Sequence, residues 1–190
     1  MFFEGLKRAP APPYRGEGPH ALWHASEDPT ITRFTPHRAK TAHTDELLVW
    51  AIDTRHLPLY WFPRECPRCT FWAATRTSDA DAARFLGGRR DRRIHVIEER
   101  WLDRVAAARL YLYRLPQDTF TGDPHTAGYW VSRAQVDPLE VVAIDDLVGR
   151  HAAAAIDLRT ERNVWPIWDE VVASTLEFSG MRLRNAQPRE

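Results

Sequence analysis

Three stretches carry residue types that could do chemistry. In Leu22-Trp23-His24-Ala25-Ser26-Glu27-Asp28-Pro29, His24 stands two residues before Ser26. On a strand that spacing puts both on one side. An imidazole and a hydroxyl can hold a ribose or an amide, and the imidazole can also act as a base or bind metal. The plainer alternative is a histidine satisfied by backbone at a strand end. The second stretch is Pro63-Arg64-Glu65-Cys66-Pro67-Arg68-Cys69. A C-x-x-C among arginines could be a redox pair, because nearby cations favour the thiolate. It could also be half of a zinc site completed by His20, His37 or His43. No second C-x-x-C exists, Cys69 opens an apolar run suited to a core, and no metal is expected. Arg64 follows Tyr60-Trp61-Phe62 and could grip a phosphate or carboxylate bidentately, or pair with Glu65 or Asp53. The third stretch, Arg89 to Arg93, sets four arginines around Asp91. It reads as a phosphate patch or a solvated charged turn. Gly87-Gly88 lacks the preceding strand and following lysine of a phosphate loop.

Several short elements must position these residues. Residues 1–20 read as a flexible leader, because Ala9-Pro10-Ala11-Pro12-Pro13 and the glycines after it oppose regular structure. Residues 21–190 read as a single α+β domain. Short strands are expected at 21–24, 47–52, 69–73, 94–97, 109–114, 128–132 and 139–144. The run Leu47 to Ile52 is apolar throughout, as a central strand buried on both faces would be. His56 to Phe62 reads as a helical turn stopped at Pro63. Ser78 should cap a helix ending at Gly87-Gly88, with Asp79 and Asp81 complementing its dipole. Further helices are expected at 99–108 (Trp101, Leu102 and Val105 inward), at 147–155 behind Asp145 or Asp146, and at 165–178. The last would turn Trp168, Val171, Val172, Thr175 and Leu176 to the sheet.

The totals restrict the function classes. A chain of 190 residues with 44% hydrophobic and 27% charged residues suits a globule with a real core. Lysine plus arginine and aspartate plus glutamate both number 26, so a zero balance argues against a nucleic-acid partner or an anionic membrane surface. No apolar run approaches a membrane span, and the start lacks a secretory pattern, so the expected residence is cytoplasmic. Eight tryptophans suit a dense aromatic core or an aromatic-walled pocket.

Four segments in order resemble the signature strands of ADP-ribosyltransferase-like domains. Leu22-Trp23-His24-Ala25-Ser26, with Phe34-Thr35-Pro36 beyond, looks like their opening strand. Val49-Trp50-Ala51-Ile52 is similar to the strand whose aromatic end stacks on nicotinamide. Arg109 to Arg114 resembles the strand before the acceptor loop, and Tyr129 to Val136 resembles the closing strand. The resemblance implies a split mixed sheet with short flanking helices and a cleft for NAD or a related ADP-ribosyl or nucleotide ligand. His24 and Ser26 would hold ribose and amide, Trp50 or Tyr60 would stack on the base with Tyr129 beside them, and Arg64 or Arg133 would face phosphate. The activity implied is ADP-ribosyl transfer or NAD glycohydrolysis, through cleavage of the nicotinamide–ribose bond. The poly-ADP-ribosyl branch carries its catalytic glutamate before the closing tyrosine, where this chain has Gly128. A transferase would need another carboxylate, for which Asp118 and Asp123, in the loop after the Arg109–Arg114 strand, are the nearest candidates by likeness to the rifampin-modifying branch; the plainer alternative is a solvated loop aspartate. The alternatives are a non-catalytic nucleotide-binding or interaction module on the same fold, the zinc or redox protein on Cys66 and Cys69, and an RNA 2′-phosphotransferase-like activity, which zero net charge opposes. The whole chain also resembles a bacterial family of unknown function with a Pro-Arg-x-Cys-Pro-Arg core.

Overall fold

The computed structural model describes residues 21–38, 45–122 and 128–189. In chain order the elements are β1 (Leu22–Ser26), β2 (Val49–Asp53), β3 (Arg68–Trp72), α1 (Asp79–Leu86), β4 (Arg93–Glu98), α2 (Leu102–Ala107) and β5 (Leu110–Leu115). They continue as β6 (Thr121–Gly122), β7 (Tyr129–Ser132), β8 (Glu140–Ile144), α3 (Leu147–Ala153), β9 (Ile156–Glu161), α4 (Trp165–Val172) and β10 (Glu177–Met181). A 3-10 turn at Leu57–Tyr60 stands where a helical turn before Pro63 was expected. The class is α+β, with two sheets and four helices. These elements gather into two compact units. One holds the described residues up to Trp61 together with Leu110–Ile144, and the other holds Phe62–Arg109 and the described residues from Asp145 onward.

The first unit is a six-stranded sheet in the order β6-β7-β2-β1-β5-β8, antiparallel at every pairing. β2 lies inside it, as its unbroken apolar run requires, with Val49, Ala51 and Ile52 all buried. One face packs Leu22, Phe34, Val49, Ala51, Tyr113 and Leu115 into a core. The segment around Phe34 is held there by paired backbone hydrogen bonds with Val136 (2.8 and 2.9 Å).

The second unit is a four-stranded mixed sheet, β10-β3-β4-β9, in which only β4 and β9 run parallel. α1 and α4 contribute Phe85, Leu86 and Val171 to a core with Cys69, Phe71, Ile94, Val96 and Leu176. α1 begins as its sequence dictates. The Ser78 hydroxyl accepts from the Asp81 amide, and Gly87 closes the helix at φ 64°.

The later part of this unit departs from the sequence reading. α4 ends at Val172 instead of running to 178, and β9 and β10 were not anticipated. Thr175 accounts for the early stop. Its amide donates to Asp81 Oδ2 (2.8 Å), and its hydroxyl donates to the same oxygen (2.5 Å) and accepts from the Ser78 amide (2.8 Å). These bonds to the start of α1 replace the next helical turn, and they hold the Asp81 carboxyl below its ordinary range. Leu102 and Val172, both assigned inward, are exposed (37% and 45%) because the helices turn Trp101, Val105 and Val171 to the core instead.

A chain of imidazoles is buried in the second unit. His151 donates from Nδ1 to the Leu147 carbonyl (2.7 Å), so its Nε2 is the acceptor. His95 therefore donates from Nδ1 to His151 Nε2 (3.0 Å), and its own buried Nε2 keeps a lone pair with no partner among the described residues. Burial pushes both imidazoles below their ordinary range, His95 far below. The unfolded chain thus takes up protons first as pH falls. Stability is fully present above the unfolded histidine pKa of about 6.5 and declines below it, by at most about 1.4 kcal/mol per pH unit for each imidazole, until pH passes that group's folded pKa. We predict that the urea midpoint falls between about pH 7.5 and pH 5.5, and that the fall shrinks in His95→Gln. An equal fall in that variant would dismiss His95 as the source.

Candidate functional site

Unequal pairing of β1 creates the cleft. β1 keeps register with β5 over five residues, from Leu22 opposite Leu115 to Ser26 opposite Tyr111. With β2 it pairs only at Leu22–Asp53 and Trp23–Ile52. Beyond Trp23 the two strands part. The Thr54 amide donates to the Ala21 carbonyl (3.1 Å), which sets the alternation of the ladder. On that alternation the amide and carbonyl of Ala25 face β2 at the point where pairing has ended. His24 closes part of the gap, its Nδ1 donating to the Trp50 carbonyl (3.2 Å).

The space so formed is a cleft of about 70 Å³, lined by Trp23, His24, Ala25, Trp50, Ala51, Ile52, Tyr60 and Tyr129. Its walls are held by local interactions. The Trp23 indole donates to Thr54 Oγ1 (2.9 Å), and that hydroxyl donates to the Ala21 carbonyl. Tyr129 meets Trp50 edge to face at 5.9 Å and Tyr60 at 6.2 Å. The hydroxyls of Tyr60 and Tyr129 are hydrogen-bonded to each other. His24 stacks at a tilt on Phe34 at 4.8 Å. Among the described residues no carboxylate and no guanidinium belongs to the lining.

Four residues singled out from the sequence, His24, Trp50, Tyr60 and Tyr129, therefore meet in one cleft. The other described ones do not join the lining. Ser26 forms a local turn, its hydroxyl accepting from the Asp28 amide (3.1 Å). Arg133 pairs with Glu46 at the surface (2.5 Å). Asp118 is exposed in the loop after β5, and Asp123 lies outside the described residues. Arg64 is an exposed residue of the second unit. Cys66 and Cys69 are both fully buried, and burial pushes each thiol up to about 12, away from the reactive thiolate range. Among the described residues no group of three or more histidines, cysteines or carboxylates could hold a metal; His20 and His43 lie outside them. The arginine turn is spent on carboxylates. Arg89 pairs with Asp91 (3.0 Å), Arg90 with Asp79 (2.8 Å) and Arg92 with Asp157.

One contact beside the cleft escaped the sequence reading. Asp53 Oδ1 accepts from both the amide (2.9 Å) and Nδ1 (2.8 Å) of His56. The signal was present as an aspartate closing an apolar strand with a histidine three residues on. The His56 ring lies directly against Gly128, whose carbonyl accepts from the Asp53 amide (2.8 Å). Gly128 adopts φ +73°, and a Cβ there would overlap the imidazole. Position 128 thus cannot carry a glutamate without rebuilding this corner, on grounds of both backbone and space. Gly128→Ala should lower stability by about 1–3 kcal/mol, and Gly128→Glu by at least as much. Thermal unfolding checks this, and a neutral Gly128→Ala would contradict the packing.

No helix among the described residues is long and apolar enough to cross a membrane. No curated protein and no solved structure matches the chain. One family model does, over residues 23–186, which run from the Trp23 wall of the cleft past the final strand. The chain belongs to that family, described as a family of unknown function (DUF6886).

Proposed function

We infer that the cleft between β1 and β2 binds the planar, amide-bearing end of NAD or a related ADP-ribosyl or nucleotide ligand, on an ADP-ribosyltransferase-like domain that acts by binding. The observation that carries this reading is the meeting of His24, Trp50, Tyr60 and Tyr129 where the β1–β2 ladder ends. Three aromatic rings offer stacking or edge contacts worth about 1–3 kcal/mol for a planar ring. The amide and carbonyl of Ala25 present a donor and an acceptor side by side, the complement of a primary carboxamide or a nucleobase edge. At about 70 Å³ the cleft is about half the size of a cavity that encloses a benzene ring, so it would admit the edge of a planar group, with the rest of a nucleotide outside it. The lining is uncharged apart from the titratable His24, which favours a neutral ring over a phosphate.

Cleavage of the nicotinamide–ribose bond is the second reading within this proposal. It would need a carboxylate to stabilise an oxocarbenium-like centre. Gly128 cannot become one, and among the described residues no carboxylate lines the cleft. Binding without turnover is therefore the better supported form.

Calorimetry with NAD and with nicotinamide tests the proposal. Binding should be in the high-micromolar to millimolar range, about −4 to −6 kcal/mol. His24→Ala, which removes the bond to Trp50, should weaken it about tenfold, and Trp50→Ala by at least as much. Absence of heat for both ligands on the wild type would sink the NAD reading. Release of nicotinamide during incubation with NAD would replace binding by hydrolysis.

A further inference from the structure

The exposed edge strand β8 is unlike the other sheet edges. At the far edge of the same sheet, β6 is only two residues long. In the second unit, β9 carries Asp157, Arg159 and Glu161 along its length, and β10 contains Ser179 and Gly180, weak strand formers. Short edges and charged edges are the usual guards against strand addition. β8 has neither. After Glu140 it reads Val141-Val142-Ala143-Ile144, and Val141 and Val142 are 49% and 41% exposed on opposite faces of the strand. Leu139, just before it, is 64% exposed. Its single charge, Glu140, is already paired with Arg114 of its own sheet (3.3 Å).

We propose that β8 is a self-association edge, on which a second copy of this chain pairs antiparallel about a two-fold axis through Val142. The backbone pattern and the placement of the strand's one charge suit a second copy. β8 pairs with β5 through Glu140–Arg114, Val142–Leu112 and Ile144–Leu110. The alternation that runs from β2 through β1 and β5 makes these the hydrogen-bonded pairs, so the amides and carbonyls of Val141 and Ala143 point away from β5. Among the described residues no strand pairs with that side. The two outward residues sit symmetrically about Val142. Facing its own copy antiparallel, Val141 meets Ala143 twice and forms four backbone hydrogen bonds, with Val142 opposite Val142. The contact is isologous and closes at two copies. Glu140 then falls opposite Ile144, so no like charges face each other. The proposal is independent of the ligand reading of the cleft.

Sedimentation equilibrium over a concentration series should show a mass twice that of one chain. Ala143→Pro removes an outward amide and should return it to a single-chain mass, with a cooperative thermal unfolding whose midpoint no longer rises with protein concentration. Val142→Cys supplies a test of register. The residue lies at a non-hydrogen-bonded pair with Cα atoms about 4.5 Å apart, within disulfide reach. On oxidation Val142→Cys should give a disulfide-linked double-mass band, and Leu47→Cys, exposed elsewhere in the same unit, should not. A wild type at single-chain mass throughout overturns the proposal. So does cross-linking of Val142→Cys that is no faster than that of Leu47→Cys.

Discussion

The first sheet depends on the unequal pairing of a single short strand. β1 is bound to β5 along its whole length and to β2 for only two residues. A sheet so paired must open between β1 and β2, because the full β1–β5 ladder prevents β1 from following β2. The opening leaves ladder groups without strand partners, which costs free energy wherever they are shielded from water. His24 offsets part of that cost by donating to the Trp50 carbonyl. The same histidine thus holds the split at a fixed width and forms one wall of it. Trp23, anchored through Thr54, braces the end where the ladder closes.

The corner around Gly128 shows how position can exclude a chemistry. His56 is oriented by Asp53, and its ring fills the place a side chain at 128 would need. That packing sets the start of β7 and so the placement of Tyr129 against Trp50 and Tyr60. The structure supplies the reason that glycine is required here, in a positive φ and an imidazole in contact. Among the described residues the cleft is lined by rings and short apolar side chains, with no carboxylate.

Much of the architecture was legible because it is written in local patterns. The apolar run of β2, the Ser78 cap and Gly87 stop of α1, and the aspartate before α3 are each decided within a few residues. β9 and β10 were missed for a physical reason. Their charged and small residues resemble surface coil until strands β4 and β3, far away in sequence, provide ladders for them. The length of α4 was overestimated because Thr175 and Leu176 continue its periodicity, while hydrogen bonds to Ser78 and Asp81 win the backbone at that point. Ser26 and Arg133 take their expected ligand roles from the resemblance and Arg64 from its type and neighbours; in the structure Arg133 pairs with Glu46, Ser26 forms a local turn and Arg64 belongs to the second unit.

For the site itself, the sequence determined the chemical character: one histidine and a set of large aromatics on adjacent short strands, without a carboxylate before Tyr129. These are properties of residue type and strand period, which need no knowledge of distant partners. Only the tertiary structure decided that β1 and β2 part after Trp23, that His24 reaches the Trp50 carbonyl, that His56 occupies the space beside Gly128, and that β8 is left at an open edge. Each of these depends on which segments pair and where the pairing stops. Residues 26 or more apart set that outcome, as His24 and Trp50 do, and no local pattern contains it.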